Sequence, residues 1–200
     1  MRRHVSIEPK ILYFGTPVVL ISSLNEDGSA NLAPISSAWA LDWSVVLGLG
    51  TGSKTFENLS RHPECVLNLP SADLWQAVER LAPYTGKDPV PAEKRARSKF
   101  ERDKFLAAGL TPVASERVTP PRVSECPLQL EAVVRGIHPI GGERGGAAAV
   151  EVAVVRVHAH EDVVLNQHHV NPGAWRPLIY SFRHYFGLGP ELGRSFRAEV

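Results

Sequence analysis

β-type sequence stands on both sides of a helical middle, and this order constrains the fold of the chain more than any other feature. Residues 17–24 (PVVLISSL) are rich in β-branched and apolar types. The Asp27-Gly28 pair just beyond them suits the φ > 0 positions of a hairpin turn. Residues 30–41 continue extended, and Pro34 within them cannot donate a ladder hydrogen bond, so this second strand lies at an edge or breaks nearby. Residues 44–50 (SVVLGLG) read as a short buried strand, 54–62 as one short helix stopped by Pro63, and 64–69 (ECVLNL) as strand again. Residues 72–81 and 92–108 have helical composition and flank a loop, 83–91, that contains Pro and Gly. From Leu128 the chain returns to β: LQLEAVVRGI, a Gly-rich turn at residues 141–146, then AAAVEVAVVRVHAH. That turn lacks a following Lys-Ser/Thr helix start, so it reads as a hairpin loop and not a phosphate loop. Without strict βαβ alternation, the expected fold is mainly β: a largely antiparallel barrel with appended helices, not a doubly wound sheet.

Composition narrows the partners. A chain of 200 residues can bury a sizeable core without disulfide or metal staples. Lys plus Arg is 22 against 21 for Asp plus Glu, which leaves no electrostatic footprint for nucleic acid and no polybasic membrane anchor. The stretch 92–104 holds six basic and three acidic side chains, and its preferred reading is a solvated helical face carrying the pair Glu93/Arg97. The cysteines, Cys65 and Cys126, read as free core thiols. The opening MRRHVSIEPK has no apolar run behind its arginines, and no window approaches 18 uninterrupted apolar residues. The expectation is a soluble, cytoplasmic protein with neither nucleic-acid nor membrane partner.

Two segments carry candidate chemistry. In residues 51–59 (TGSKTFENL), Ser53 and Thr55 supply hydroxyls, Lys54 supplies charge, and a helix starting there directs free backbone N–H groups at an anion. The plainer alternative is that Ser53 or Thr55 caps the helix and Lys54 is solvated. In residues 31–39 (NLAPISSAW), two serines follow a proline-broken strand, where backbone groups can bond the edge of a flat heterocycle. Trp39 and Trp43 offer an aromatic wall, with core packing as the simpler reading of each.

In this order and separation the segments resemble the flavin reductase-like family of FMN-binding split-barrel proteins. The resemblance is carried by the strand at 17–24, the turn Asp27-Gly28, NLAPISS, Ser53-Lys54-Thr55 with Asn58 one turn on, and CVLN at 65–68. Downstream, residues 109–132 look like the family's return into the barrel and 150–164 match its late strand, so coverage runs from about residue 13 to 164. The resemblance implies one split-barrel domain over residues 1–200, with a helical insertion at 72–108 and an aromatic C-terminal segment at 175–200. It implies a homodimer with FMN bound noncovalently near the subunit interface. Carried over position by position, isoalloxazine contacts fall on Pro34, Ile35, Ser36, Ser37 and Ala38. Phosphate and ribityl contacts fall on Ser53, Lys54, Thr55 and Asn58, with Asn31 in support. The implied reaction is hydride transfer from NADH or NADPH to the flavin N5. Electrons then pass to a flavin, a small molecule or a partner such as a flavin-dependent monooxygenase. No side chain is required as acid or nucleophile, because the flavin carries the chemistry. No Gly-x-Gly-x-x-Gly follows a strand, so nicotinamide would dock on the exposed flavin face and not in a Rossmann manner. The alternative is an FMN-binding electron carrier or sensor without nicotinamide turnover.

Two further constellations remain. His158 and His160 share a strand face and His168-His169 follow, but no Asp, Glu or Cys stands at clear ligand spacing, so no metal site is assigned. Of 15 aromatic residues, six fall in the last 26 positions: Trp175, Tyr180, Phe182, Tyr185, Phe186 and Phe196. This segment is expected to pack over the barrel or a partner subunit. Its stretch 180–189 (YSFRHYFGLG), with His184, Tyr185 and Phe186, is a candidate lid on the substrate side, together with Trp39.

Overall fold

A computed structural model describes residues 3–141 and 146–199, so the inner residues of the Gly-rich turn, 142–145, lie outside the described residues. The first strand, β1 (Phe14–Pro17), precedes β2 (Val19–Leu24) and β3 (Ala30–Ile35), which pair antiparallel across the Asp27-Gly28 turn. Gly28 takes φ +80° there, which an L side chain rarely adopts. Next come β4 (Ala38–Leu41), β5 (Ser44–Gly50), helix α1 (Lys54–Arg61) and β6 (Glu64–Leu69). Beyond the middle region, the long strands β11 (Leu128–Ile140) and β12 (Ala147–Ala159) form a hairpin in register from Leu128↔Ala159 to Ile140↔Ala147. Apart from β1, these strands make one seven-stranded antiparallel sheet in the order β3-β2-β6-β11-β12-β5-β4. Pro34 sits on an edge strand, where its missing N–H costs no ladder bond.

The sheet's two edges, β3 and β4, are separated in sequence by Ser36 and Ser37 alone. Three residue steps reach at most about 11 Å. The sheet therefore curls until its edges approach each other at this linker.

Alternation along β2 splits its side chains between two cores. Val19 and Ile21 face an inner cluster with Leu47, Leu67, Val150 and Val152, into which α1 inserts Leu59. Val18 and Leu20 face an outer cluster covered by α2 (Trp75–Leu81) and α3 (Lys104–Ala108), through Val78, Leu81, Phe105 and Ala108. Each core removes a continuous apolar face from water, the main favourable term in folding. Cys65 and Cys126 are free and buried, one in each cluster, and burial pushes the Cys65 thiol up to about 12.

The middle region differs from the sequence expectation. Helix α2 forms where helical composition predicts it, but residues 92–108 are not one helix. They make a single 3₁₀ turn at Ala92–Lys94, then a two-residue strand, then the short α3. That strand, β8 (Lys99–Phe100), pairs in parallel with β7 (Tyr84–Thr85), and the Lys99 amide donates to the Pro83 carbonyl at 2.8 Å. Tertiary pairing thus overrides local propensity. A fresh cap at Asp103, whose carboxylate accepts from the Leu106 amide at 3.0 Å, starts α3, and Gly109 in the left-handed region ends it.

Short pairs β9 (Pro112–Val113) with β10 (Arg122–Val123), and β13 (Val164–Asn166) with β14 (His169–Val170), order the connecting loops. The C-terminal aromatic stretch forms a hairpin, β15 (Ile179–Ser181) and β16 (His184–Phe186), whose first strand pairs with β1. No helix among the described residues is long and apolar enough to cross a membrane.

Candidate functional site

A cleft of about 440 Å³ opens where the curled sheet brings its edges together. One wall is the end of β3 (Ala33, Pro34, Ile35) with the linker Ser36-Ser37, and Gly48, Leu49 and Gly50 of β5 form its floor. These backbones run close: the Gly48 amide donates to the Ser37 carbonyl at 2.6 Å, and a Cβ on Gly48 would lie 2.8 Å from that of Ser37. At one end of the cleft stand Ser53 and Thr55, from the first turn of α1.

Ser53 is the α1 N-cap, its hydroxyl oxygen accepting from the Phe56 amide at 3.1 Å. This leaves the Ser53 hydroxyl proton to donate. The amides of Lys54 and Thr55, at the start of the helix, have no intrahelical acceptor. The opposite wall is aromatic. Tyr13 stacks edge-on against Tyr180 with centroids 5.6 Å apart, and Tyr180 contacts Tyr185 at 5.5 Å. The Tyr185 hydroxyl donates to the Glu79 carboxylate at 2.9 Å; burial and that carboxylate both push the phenol above its ordinary range.

Of the residues named from sequence, Pro34, Ile35, Ser36, Ser37, Ser53, Thr55 and Tyr185 line this cleft. The others stand elsewhere. Ala38 is buried in the inner core. Lys54 turns from the cleft and bonds Glu26 at 2.8 Å and Glu57 at 2.7 Å. Burial opposes its charge, but the two carboxylates outweigh burial and hold its pKa above the ordinary value. Asn58 is buried and ties α1 to β2, donating to the Ser23 hydroxyl and the Asn25 side-chain Oδ1, both at 3.1 Å. Asn31, also buried, donates to the Thr55 hydroxyl oxygen at 3.4 Å and accepts from Lys104 at 2.9 Å. Trp39, His184 and Phe186 are outside the lining; Trp39 is 59% exposed on the edge strand β4.

Sequence reasoning missed Tyr13, Gly48 and Gly50, while Tyr180 opens the stretch read as a lid and does line the cleft. Two glycines within the strand SVVLGLG were a readable sign of close backbone approach. The pairing of β1 with β15, which assembles the tyrosine wall, left no local signal. The histidines serve separate bonds. His158 meets the Glu131 carboxylate at 2.6 Å, His160 the Ser124 carbonyl, and His169 the Asn166 and Glu199 side chains.

Fold and cleft define a class: mainly antiparallel β proteins that place a ligand cleft at the seam of a curled sheet, with hydroxyls and helix amides at one end. Within it, the chain belongs to the family described as flavin reductase like domain, which it matches over residues 11–189. The uncharacterized protein YdfE of Bacillus subtilis is 48% identical over 200 residues, covering 100% of this chain and 96% of that one. Among solved structures, nitrilotriacetate monooxygenase component B from Bacillus cereus superposes with a TM-score of 0.78 at 19% identity, over 97% of this chain and 100% of that one. Flavoredoxin of Desulfovibrio vulgaris superposes with a TM-score of 0.77 at 21% identity, over 99% of each chain. At these identities the two structures establish a shared fold.

Proposed function

We propose that the protein is an FMN-dependent oxidoreductase of the flavin reductase type, a homodimeric split barrel that takes hydride from NADH or NADPH and passes electrons onward. The observation that carries this reading is the cleft itself. It joins an extended backbone edge, an aromatic wall and an anion-ready helix start within a volume of about 440 Å³, inside the usual range of about 300–1,000 Å³ for small-molecule pockets. The residues fit the group. Ser53, Thr55 and the first amides of α1 would hold a phosphate, and residues 34–37 would border the flat ring system. Bound FMN would supply the redox chemistry, since isoalloxazine exchanges hydride without an acid or nucleophile from the protein. Tyr13, Tyr180 and Tyr185 limit water on the open side of the cleft.

The Bacillus cereus relative is a monooxygenase component B, and that likeness supports a flavin-dependent monooxygenase among the electron acceptors. The test is the absorbance spectrum of the purified protein before and after adding FMN, followed by anaerobic mixing with NADH and NADPH. A bound-flavin band that bleaches rapidly with one nucleotide is expected; no FMN binding refutes the reading. The likeness to flavoredoxin favours a second reading, an FMN electron carrier, which would bind flavin but leave it unbleached.

A further inference from the structure

Four aromatic rings lead out of the cleft in succession. Tyr13 meets Tyr180 with centroids 5.6 Å apart, Tyr180 meets Tyr185 at 5.5 Å, and Tyr185 meets Trp75 at 6.3 Å. Separations of about 4.5–7 Å mark direct ring-to-ring contact. The three tyrosines line the cleft, whereas Trp75 stands outside the lining and is 45% exposed. The series therefore joins the cleft to solvent without a gap. Phenol and indole are also among the side chains that give up a single electron most readily.

A phenol that loses an electron must also lose its proton, and Tyr185 has a base in place. Its hydroxyl donates to the Glu79 carboxylate at 2.9 Å, within the reach of about 2.6–3.2 Å for direct proton transfer. Burial first, and that carboxylate second, push the phenol above its ordinary range, so it keeps its proton until it is oxidised. No ion pair among the described residues occupies Glu79. Trp75 and Glu79 stand one turn apart on α2 and share a face, and β16 brings Tyr185 against both. Among the described residues, the other three tryptophans make no ring contact with a tyrosine.

We propose that Tyr13, Tyr180, Tyr185 and Trp75 form an electron relay that clears oxygen-centred radicals from the cleft, with Glu79 taking the Tyr185 proton. The need for such a relay rests on the flavin reading above, because a flavin site handles electrons where dioxygen can enter. The relay itself uses only protein groups. A radical in the cleft takes one electron from Tyr185 and is reduced, while the phenol proton moves to Glu79. Trp75 then gives an electron to the Tyr185 phenoxyl, and Glu79 returns the proton to its oxygen. The oxidised Trp75 loses its N–H proton to water, and a soluble thiol restores it with one electron and one proton. The test runs the Trp75–Tyr185 step in reverse on the full-length, flavin-free protein, oxidising exposed indoles with azide radicals made by pulse radiolysis. In the wild type, indolyl absorbance is expected to decay as phenoxyl absorbance rises, in a fast phase whose rate does not depend on protein concentration. Trp75→Phe and Tyr185→Phe are each expected to abolish that phase. Glu79→Gln, which removes the base, is expected to slow it at least about tenfold. A wild type without the fast phase overturns the proposal, as does a fast phase that persists in Trp75→Phe or Tyr185→Phe. An unchanged rate in Glu79→Gln overturns the role of Glu79. Because the measurement needs no bound flavin, a failure of the same protein to bind FMN refutes the flavin reading and not the relay.

Discussion

Arg183 and Phe182 form the two-residue turn between β15 and β16, with φ of +70° and +44°. Both lie in the left-handed region, where a non-glycine residue costs about 1–2 kcal/mol, and hairpins of this kind favour Asn-Gly. Arg183→Gly is therefore expected to stabilise the fold by about 1 kcal/mol, read as a higher thermal midpoint. An unchanged or lower midpoint would show that the arginine side chain repays the strain. Gly48 carries the opposite constraint. Its missing side chain is what allows Ser37 to approach, so Gly48→Ala is expected to displace the Ser36-Ser37 linker and weaken FMN binding at least about tenfold, on the order of 1–3 kcal/mol for overpacking. A titration matching the wild type would contradict this. At this scale some of the site was readable. Ser53 and Thr55 are helix-start residue types that announce themselves locally. The commitment of Lys54 was not readable, because one of its partners, Glu26, lies 28 residues away and arrives only when the β2–β3 turn folds over α1.

Helix α1 shows how an element is fixed in place around the cleft. Ser53 caps it, Leu59 anchors it in the inner core, and Asn58 bonds β2. Glu57 receives Lys54 at 2.7 Å and Lys87 at 2.9 Å. These two ammonium groups lower its pKa from 4.5 to about 2 against the effect of burial. A depressed carboxyl pKa lends stability that is complete above the unfolded value and lost as pH falls through the folded one. The window here runs from about pH 4.5 down to about 2. Because Glu57 is two-fifths exposed, solvent screening holds the effect below about 1 kcal/mol. Glu57→Gln is expected to lower the midpoint at pH 7 to 8, where this contribution is complete, and to change it little near pH 2, so this part of the midpoint-against-pH curve flattens. A curve as steep as that of the wild type would remove Glu57 from the acid response. The elements themselves were legible where periodicity or strong turns mark them, as in β2–β3, α1, α2 and the β11–β12 hairpin. Residues 92–108 were misread because their helical composition competes with pairing between Lys99 and the distant Pro83, and pairing wins.

At the scale of the molecule, the cleft exists because a sheet whose edges are joined by two residues must curl, and because the chain's far ends bring Tyr13 and Tyr180 onto the open side. Strand order and the tyrosine wall depend on contacts across more than a hundred residues, so no local pattern displays them. The same curling leaves one edge with an unusual surface. On β4 and its turn, Trp39, Leu41 and Trp43 are 59%, 71% and 58% exposed. An exposed apolar edge strand invites pairing with another chain, and a contiguous patch of this kind marks an interaction surface. Homodimerisation, part of the proposed function, would cover it beside the Ser36-Ser37 linker, so assembly and flavin binding should be coupled. The wild type is expected to sediment at twice its 21.9 kDa chain mass. Leu41→Lys places a charge in the patch without touching the cleft lining, and should shift the protein toward the monomer at micromolar concentration. If the dimer buries the linker, the same variant loses FMN affinity in proportion to the monomer formed, and raising protein concentration restores it. A wild type that sediments as a monomer would place the patch against some other partner. A monomeric Leu41→Lys that keeps full FMN affinity would show that each chain completes its cleft alone.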